Sequence, residues 1–223
     1  QVMQTNTPPE STNAGLMEII LRESDRLNKI ITNFLTYARP RVNNFSEVDV
    51  REAIEETFLL LKHSPDVKES HRLEYAAPRD PIIISADPTQ LKQIFWNLSR
   101  NALNAMPNGG ELAVTSEVVS GERVRIVFSD TGCGMTPEQV EKLFEPFSES
   151  TTGGTGLGLS IVYQIVRDHN GSIKVRSLEG EGTAITVELP VERESLAVTA
   201  EASGSTEFEF KSSRLQGFLN IKE

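Results

Sequence analysis

The segment from Asp87 to Ala105 constrains the fold most, because it predicts one long helix with two different faces. Asp87 is a natural N-cap, and Pro88 suits the first helical position. A helix with an apolar face needs a second layer to cover that face. The apolar residues recur every three or four positions: Leu91, Phe95, Leu98, Ala102 and Ala105.

Stretches with the two-residue period of β-strands supply that second layer. The expected fold class is therefore an α/β (α+β) sandwich, in which a mixed sheet is covered on one face by helices. We predict strands near residues 73–75, 82–85, 111–119, 122–129, 172–177 and 183–189, and further helices near residues 50–62 and 155–168.

A second stripe on the long helix carries carboxamides. Gln93, Asn97, Asn101 and Asn104 recur with the helical period and lie apart from the apolar face. Neutral amide oxygens suit a magnesium ion that keeps its waters and shares phosphate oxygens, because hard cations take oxygen ligands. A solvated polar face would give the same pattern, so the stripe alone leaves both interpretations open.

An acidic residue and a glycine turn end the strand near residues 122–129. Asp130 can accept a hydrogen bond from the exocyclic amine of adenine, and Gly132 and Gly134 allow a tight turn that approaches a flat ring. An ordinary Asp-Thr-Gly turn is the alternative. Cys133 has no histidine nearby in sequence, so we interpret it as incidental rather than nucleophilic.

A glycine-rich entry to a helix is the third motif. Gly153, Gly154, Gly156 and Gly158 precede an apolar helical pattern, so free N–H groups at the helix start can face a triphosphate. The spacing is neither that of a Walker loop nor that of a dinucleotide fingerprint. Upstream, Thr136 starts a capping-box helix that is expected to end near residues 144–147, and residues 148–154 are expected to form a mobile lid.

Taken together, residues 97–105, 130–134, 144–147 and 154–159 resemble the Asn box, first glycine box, Phe box and second glycine box of sensor histidine kinases. That family shares a superfamily with topoisomerase, mismatch-repair and chaperone ATPases. The match covers roughly residues 45–191. Four boxes in the right order are far more specific than any one of them.

The resemblance implies ATP and Mg²⁺ as cofactors. It makes Asn97 and Asn101 the catalytic residues, with Asn101 as the metal ligand and Asn97 near the phosphates, and it places the adenine amine at Asp130. The other residues that it implies around ATP are Arg100, Asn104, Gly132, Gly134, Met135, Phe144, Phe147, Gly154, Thr155, Gly156, Leu157, Gly158, Leu159 and Thr183.

The residue at position 97 separates kinases from their hydrolytic relatives. The hydrolytic members carry a glutamate one turn before the metal-binding asparagine, where it activates water as a general base. Here that residue is Asn97, and an amide does not take a proton near neutral pH. Hydrolysis is therefore expected to be slow, and transfer to another acceptor is favoured.

The acceptor histidine is not expected among His63, His71 and His169, none of which has the family's sequence context. We interpret His63 and His71 as surface or packing residues. His169 is interpreted as structural, since a histidine is favoured by the dipole at a helix C-terminus.

The N-terminal segment helps to explain this absence. Residues 16–40 have heptad apolar positions and resemble the second helix of a dimerisation hairpin, in particular that of nitrogen-regulation and pilus-regulation sensors. The first helix, with the phosphoacceptor histidine, is expected before Gln1. An amphipathic helix that packs on its own domain is the alternative.

Domain organisation follows from these segments. Residues 1–44 are expected to be a remnant of the dimerisation domain, with its helix over about 14–39, residues 45–192 the ATP-binding domain, and residues 193–223 a poorly ordered tail. The net charge of −10 argues against nucleic acid or an anionic membrane as the main partner. One cysteine and no leader or spanning segment fit a soluble, cytoplasmic chain, although a full-length protein with upstream sensor modules is open to membrane anchoring.

Two classes of function stay open. The first is the phosphoryl donor of a sensor histidine kinase, with a response-regulator receiver domain and a second copy of the chain as partners. The second is a nucleotide-binding regulatory module or an anti-sigma-type protein-serine kinase of the same superfamily. The dimerisation-type helix and its Ala-Arg-Pro ending favour the first.

Overall fold

The structure is a computed structural model that describes residues 15–24, 27, 44–119, 122–147 and 156–191. Residues 15–24 form α1, within the range predicted for the dimerisation-type helix. The rest of that helix, the predicted lid, Gly154, Thr155 and the predicted tail lie outside the described residues.

Five strands form the main sheet in the order β2-β4-β5-β7-β6. The β2 strand runs parallel to β4, and every other neighbouring pair is antiparallel, so the sheet is mixed and the predicted fold class is confirmed. The strands are β2 (His71–Ala76), β4 (Gly110–Val119), β5 (Arg123–Asp130), β6 (Ser172–Leu178) and β7 (Gly182–Pro190).

Two further strands, β1 (Ser46–Asp49) and β3 (Ile83–Ala86), form a separate antiparallel pair. The expectation of one sheet is wrong in this respect. The β1 strand has one apolar residue, Val48, so its sequence has no alternation to detect. Its pairing comes from β3, far along the chain.

In the described part of residues 44–191 there are four helices: α2 (Val50–Lys62), α3 (Pro88–Ala105), α4 (Pro137–Glu141) and α5 (Gly158–Asp168). The first two have the predicted bounds, and the predicted capping box of α4 is present. The α4 helix ends earlier than expected. The α5 helix begins at Gly158 rather than near 155, because Gly156 has a φ of 67° that a helix does not allow.

The core lies between the helices and one face of the sheet. Alternate strand residues, such as Val124, Ile126 and Phe128 on β5, are buried under α3, and the rings of Phe95 and Phe128 lie 5.8 Å apart. The α3 helix contacts α2, α5, β4, β5 and β7. It is therefore fixed over the centre of the sheet, and its amide stripe follows the edge of the buried face.

Apolar side chains are exposed along the described part of the predicted dimerisation-type helix. Ile20 and Leu27, two of the residues predicted to form its seam, are 58% and 59% exposed, and Leu16 and Ile19, which were not predicted for the seam, are exposed as well. A row of exposed apolar side chains fits a partner-facing surface, while dimerisation itself stays a prediction. No described helix combines the length and the apolar character needed to cross a membrane.

Candidate nucleotide site

Buried polar contacts anchor α3 at its N-terminus. The Oδ1 atom of Asp87 accepts hydrogen bonds from the N–H groups of Thr89 (2.9 Å) and Gln90 (3.1 Å). Burial alone would raise the pKa of Asp87, but the hydrogen bonds from Gln90, Asn44 and Thr89 outweigh it, and the pKa is lowered. The carboxylate thus stays ionised and caps the helix that carries the amide stripe.

The ring of His169 connects this N-terminus to the end of α5. The Asp87 N–H donates to His169 Nε2 (3.1 Å), so Nδ1 carries the proton and donates to the Ile165 carbonyl (2.8 Å). The side chain is 3% exposed. The structural role predicted for His169 is confirmed, but the reason given for it was wrong. The ring is neutral, so it has no charge for the helix dipole to stabilise, and its role comes from these two hydrogen bonds.

The amide stripe lies half-buried along α3. Asn97 Nδ2 donates to the Gly158 carbonyl at the start of α5, at a distance of 3.4 Å. Within the part of the chain that the structure describes, Asn101 and Asn104 make no side-chain hydrogen bond. Their amide oxygens are therefore available to a ligand, which is what a metal or phosphate site requires.

The start of α5 has the features of an anion site. Its first turn has no side-chain cap, so its N–H groups have no side-chain acceptor among the described residues. Asn97 approaches this same end of the helix. The predicted contacts of Leu157 and Leu159 with ATP stay predictions. The side chain of Leu157 is fully buried and that of Leu159 packs against the core, so both side chains fix the start of the helix.

The turn of residues 130–134, called here the Asp130 turn, lies at the C-terminal end of the amide stripe on α3. Asp130 ends β5 opposite Thr183 of β7, and its Oδ1 accepts from the Gly132 N–H (2.9 Å). Burial, the largest influence, raises the pKa of Asp130, and the N–H groups of Gly132 and Thr183 only partly oppose this. The hydroxyl of Thr183 is held by Ser177 (2.8 Å). Asp130 and Thr183, which the resemblance implies at the ATP site, are therefore neighbours in the sheet, while their contacts with ATP stay predictions.

Close packing against neighbouring backbone, which the sequence did not predict, requires the glycines around Asp130. A Cβ on Gly132 would lie 2.7 Å from the Cβ and carbonyl oxygen of Ala105. At Gly134, where φ is 63°, it would collide with the Leu178 carbonyl, and at Gly182 with the Asp130 carbonyl. These glycines are required by close backbone packing around Asp130, and they shape the site indirectly.

Three predicted ATP neighbours have protein partners. Arg100 is exposed and pairs with Asp66 (Nε to Oδ2, 2.7 Å), so a contact with phosphates would require this exposed ion pair to open. The ring of Phe144 lies 5.4 Å from that of Tyr163 on α5. Phe147 is 59% exposed, and its N–H donates to the Gly156 carbonyl (3.0 Å). Direct contacts of these residues, and of the half-buried Met135, with ATP stay predictions.

Some positions that organise the site carried no sequence signal. The Ala105 carbonyl accepts from the Cys133 N–H (3.0 Å). The Thr131 hydroxyl accepts from the Glu111 N–H (3.0 Å) and donates to the Met106 sulfur (3.7 Å). These contacts join segments distant in sequence, so neither periodicity nor a local motif reveals them.

The raised pKa of Asp130 gives a testable effect on stability. A carboxyl with a folded-state pKa above its unfolded value loses stability as the pH rises through that pKa. Asp130→Asn keeps an acceptor for Gly132 and removes the half-buried charge, so at pH 7 it should raise Tm by about 2 °C. The gain should shrink as the pH falls through the raised pKa of the native carboxyl, because below that pKa the carboxyl is neutral as well. Thermal melts across this range check the prediction, and a variant less stable than the unmodified chain at pH 7 contradicts it.

A mixed sheet with a helical layer, two asparagines and a helix start without side-chain partners among the described residues, and a half-buried carboxylate are together typical of a nucleotide-binding domain. The model of histidine kinase-, DNA gyrase B- and HSP90-like ATPases matches residues 86–193. The chain belongs to this family, as a catalytic domain of the sensor histidine kinase type.

Comparisons with individual proteins give the same family assignment. The chain is 33% identical over 185 residues to sensor histidine kinase ZraS of Salmonella typhimurium, covering 83% of this chain and 40% of that protein. It is 32% identical to the catalytic domain of histidine kinase ThkA, covering 66% of this chain and 95% of that one with a TM-score of 0.60. The chain is also 29% identical to histidine kinase ThkA in its solved complex with the response regulator TrrA. That match covers 86% of this chain and 55% of the ThkA chain, with a TM-score of 0.69. The chain spans about two fifths of the length of the first curated relatives.

Proposed function

We propose that this chain binds Mg-ATP and donates the γ-phosphoryl group to a histidine on a dimerisation helix, for onward transfer to an aspartate of a response-regulator receiver domain. The supporting observation is that α3 touches both ends of the site. Asn97 contacts the start of α5, and Ala105 contacts the Asp130 turn. These residues are a little over two helical turns, or about 12 Å, apart, with Asn101 between them.

This order along α3 matches the order of parts in a nucleotide. The Asp130 carboxylate accepts from the exocyclic amine, and the N–H groups at the start of α5 hold phosphates. The amide oxygen of Asn101, which has no partner among the described residues, fits a hard cation that has few protein ligands. Bound there, Mg²⁺ would neutralise phosphate charge. Asn97 provides no general base, so water is poorly activated.

The relatives support the same reaction. ThkA forms a complex with a response regulator, which supports a receiver domain as the partner of this chain. The comparisons with sensor histidine kinases do not favour a purely regulatory module or an anti-sigma-type serine kinase. The nitrogen-regulation or pilus-regulation type stays a prediction.

The proposal includes the predicted organisation of the chain. Residues 1–44 belong to a dimerisation domain, residues 45–192 to the ATP-binding domain and residues 193–223 to a tail. The exposed apolar residues of α1 support a homodimer through this helix. We also propose a cytoplasmic location. The solved complex of ThkA with a response regulator supports it, as it supports the receiver-domain partner.

The experiment that tests this proposal compares binding with hydrolysis. Calorimetric titration of the full chain should show saturable binding of ATP that strengthens with Mg²⁺ and weakens again when EDTA removes the metal. Phosphate release from the same complex should be slow, because position 97 is an amide. Rapid phosphate release without any added acceptor would contradict a donor that is specialised for transfer.

A further inference from the structure

The last residues of the loop after α2, together with the first residue of β2, hold the C-terminal end of α3. Lys68 Nζ donates to the Pro107 carbonyl (2.7 Å), and the Gly110 N–H donates to the Ser70 carbonyl (3.1 Å). The third contact comes from the ring of His71, whose Nε2 lies 2.8 Å from the Met106 carbonyl oxygen. The end of α3 is therefore held from outside the predicted nucleotide site.

Both ring nitrogens of His71 are engaged. Nδ1 accepts a hydrogen bond from the Lys68 N–H (3.0 Å), so the proton is on Nε2 and is donated to Met106. Met106 is the C-cap of α3 and is 2% exposed. A half-buried neutral imidazole thus fixes the carbonyl group that ends the helix.

Met106 and its neighbour Ala105 contact the Asp130 turn directly. The hydroxyl of Thr131 donates to the Met106 sulfur (3.7 Å), and the Ala105 carbonyl accepts from the Cys133 N–H (3.0 Å). Gly132, between them, has no room for a Cβ against Ala105. A displacement of the end of α3 therefore displaces the turn that orients Asp130.

We propose that His71 is a positioning residue for adenine recognition, which acts by holding the Met106 carbonyl and through it the Asp130 turn. This inference rests on the proposed nucleotide site. Removal of the ring takes away one of the two donors to the Met106 carbonyl, the other being the Gly109 N–H, and leaves the Lys68 N–H without this acceptor, so the end of α3 is held less firmly. The loss falls on the contact with the exocyclic amine, because the phosphate end of the site, at Asn97 and α5, lies about two helical turns away.

The test measures equilibrium binding of two nucleotides to the full chain. One is ATP, and the other is purine riboside triphosphate, which lacks the exocyclic amine. The unmodified chain should prefer ATP. His71→Ala should weaken ATP binding by about tenfold and leave the binding of the analogue unchanged. His71→Gln, which places an amide N–H donor on a flexible side chain, should restore most of the preference.

Two further variants complete the design. His63→Ala removes an exposed histidine at the end of α2 and should behave like the unmodified chain. Thr131→Val breaks the link between Met106 and the turn and should reproduce the selective loss, which keeps the test decisive if His71→Ala folds poorly.

The outcomes separate this inference from the proposed function. If the unmodified chain does not distinguish the two nucleotides, the adenine role of Asp130 and the role of His71 are both overturned. If it does distinguish them but His71→Ala and Thr131→Val keep the preference, only the role of His71 is overturned. An equal loss for both nucleotides identifies a general structural role and also overturns it.

Discussion

Replacement of Asp130 by alanine is expected to weaken ATP binding by about a hundredfold. The substitution removes a carboxylate acceptor for the exocyclic amine, and hydrogen bonds to charged groups are the stronger class. It also leaves the Gly132 N–H without its acceptor, which loosens the turn. Calorimetric titration of both proteins with Mg-ATP measures the effect.

Asp80→Ala provides the matched control, because Asp80 is an exposed carboxylate in the loop before β3. It should leave ATP affinity unchanged. Asp130→Asn, which retains a neutral acceptor, should lie between alanine and the unmodified chain, with a loss of about tenfold. Unchanged affinity in a folded Asp130→Ala protein would show that the adenine is not recognised by this carboxylate.

Replacement of Asn101 by alanine is expected to reduce phosphoryl transfer by at least about a hundredfold. In the proposed site Asn101 is the protein ligand of the metal, and a metal ion on the transferring phosphate stabilises charge by several kcal/mol. The enhancement of ATP binding by Mg²⁺ should disappear together with transfer. Both quantities are measured with the full chain, by titration with and without Mg²⁺ and by transfer to an added acceptor.

Asn108→Ala is the matched control, since Asn108 is an exposed amide in the turn that follows α3. It should keep both the Mg²⁺ effect and the transfer rate. If Asn101→Ala retains the Mg²⁺ effect, another group holds the metal, and the amide stripe is the solvated polar face that the sequence also allowed.

Elements with a strong local signal were predicted well. The α3 helix has an N-cap, a proline at its first position and an unbroken apolar period, and its bounds agree with the structure. The β1 strand has one apolar residue and exists because β3 pairs with it, so local reasoning did not find it. The start of α5 was placed too early because the left-handed conformation of Gly156 is set by its surroundings, which include the N–H of Phe147.

In the candidate site, too, the residues in local motifs were predicted and the contacts between distant segments were not. Asn97, Asn101, Asp130 and Thr183 lie in short motifs whose chemistry is visible in sequence. The contacts that orient them were not predicted, because they join residues remote in the chain. The close approach of Gly134 to Leu178, the burial of Leu157 and the pair between Arg100 and Asp66 all depend on packing between separate elements.

The most direct test of the central claim is phosphoryl transfer in trans. The full chain is mixed with γ-labelled ATP, Mg²⁺ and a separate dimerisation hairpin that carries a phosphoacceptor histidine; the same hairpin with that histidine changed to glutamine is the control. We expect acid-labile label on the histidine of the first hairpin and none on the second. Tight binding of Mg-ATP without transfer of label to any histidine-bearing hairpin would contradict the account.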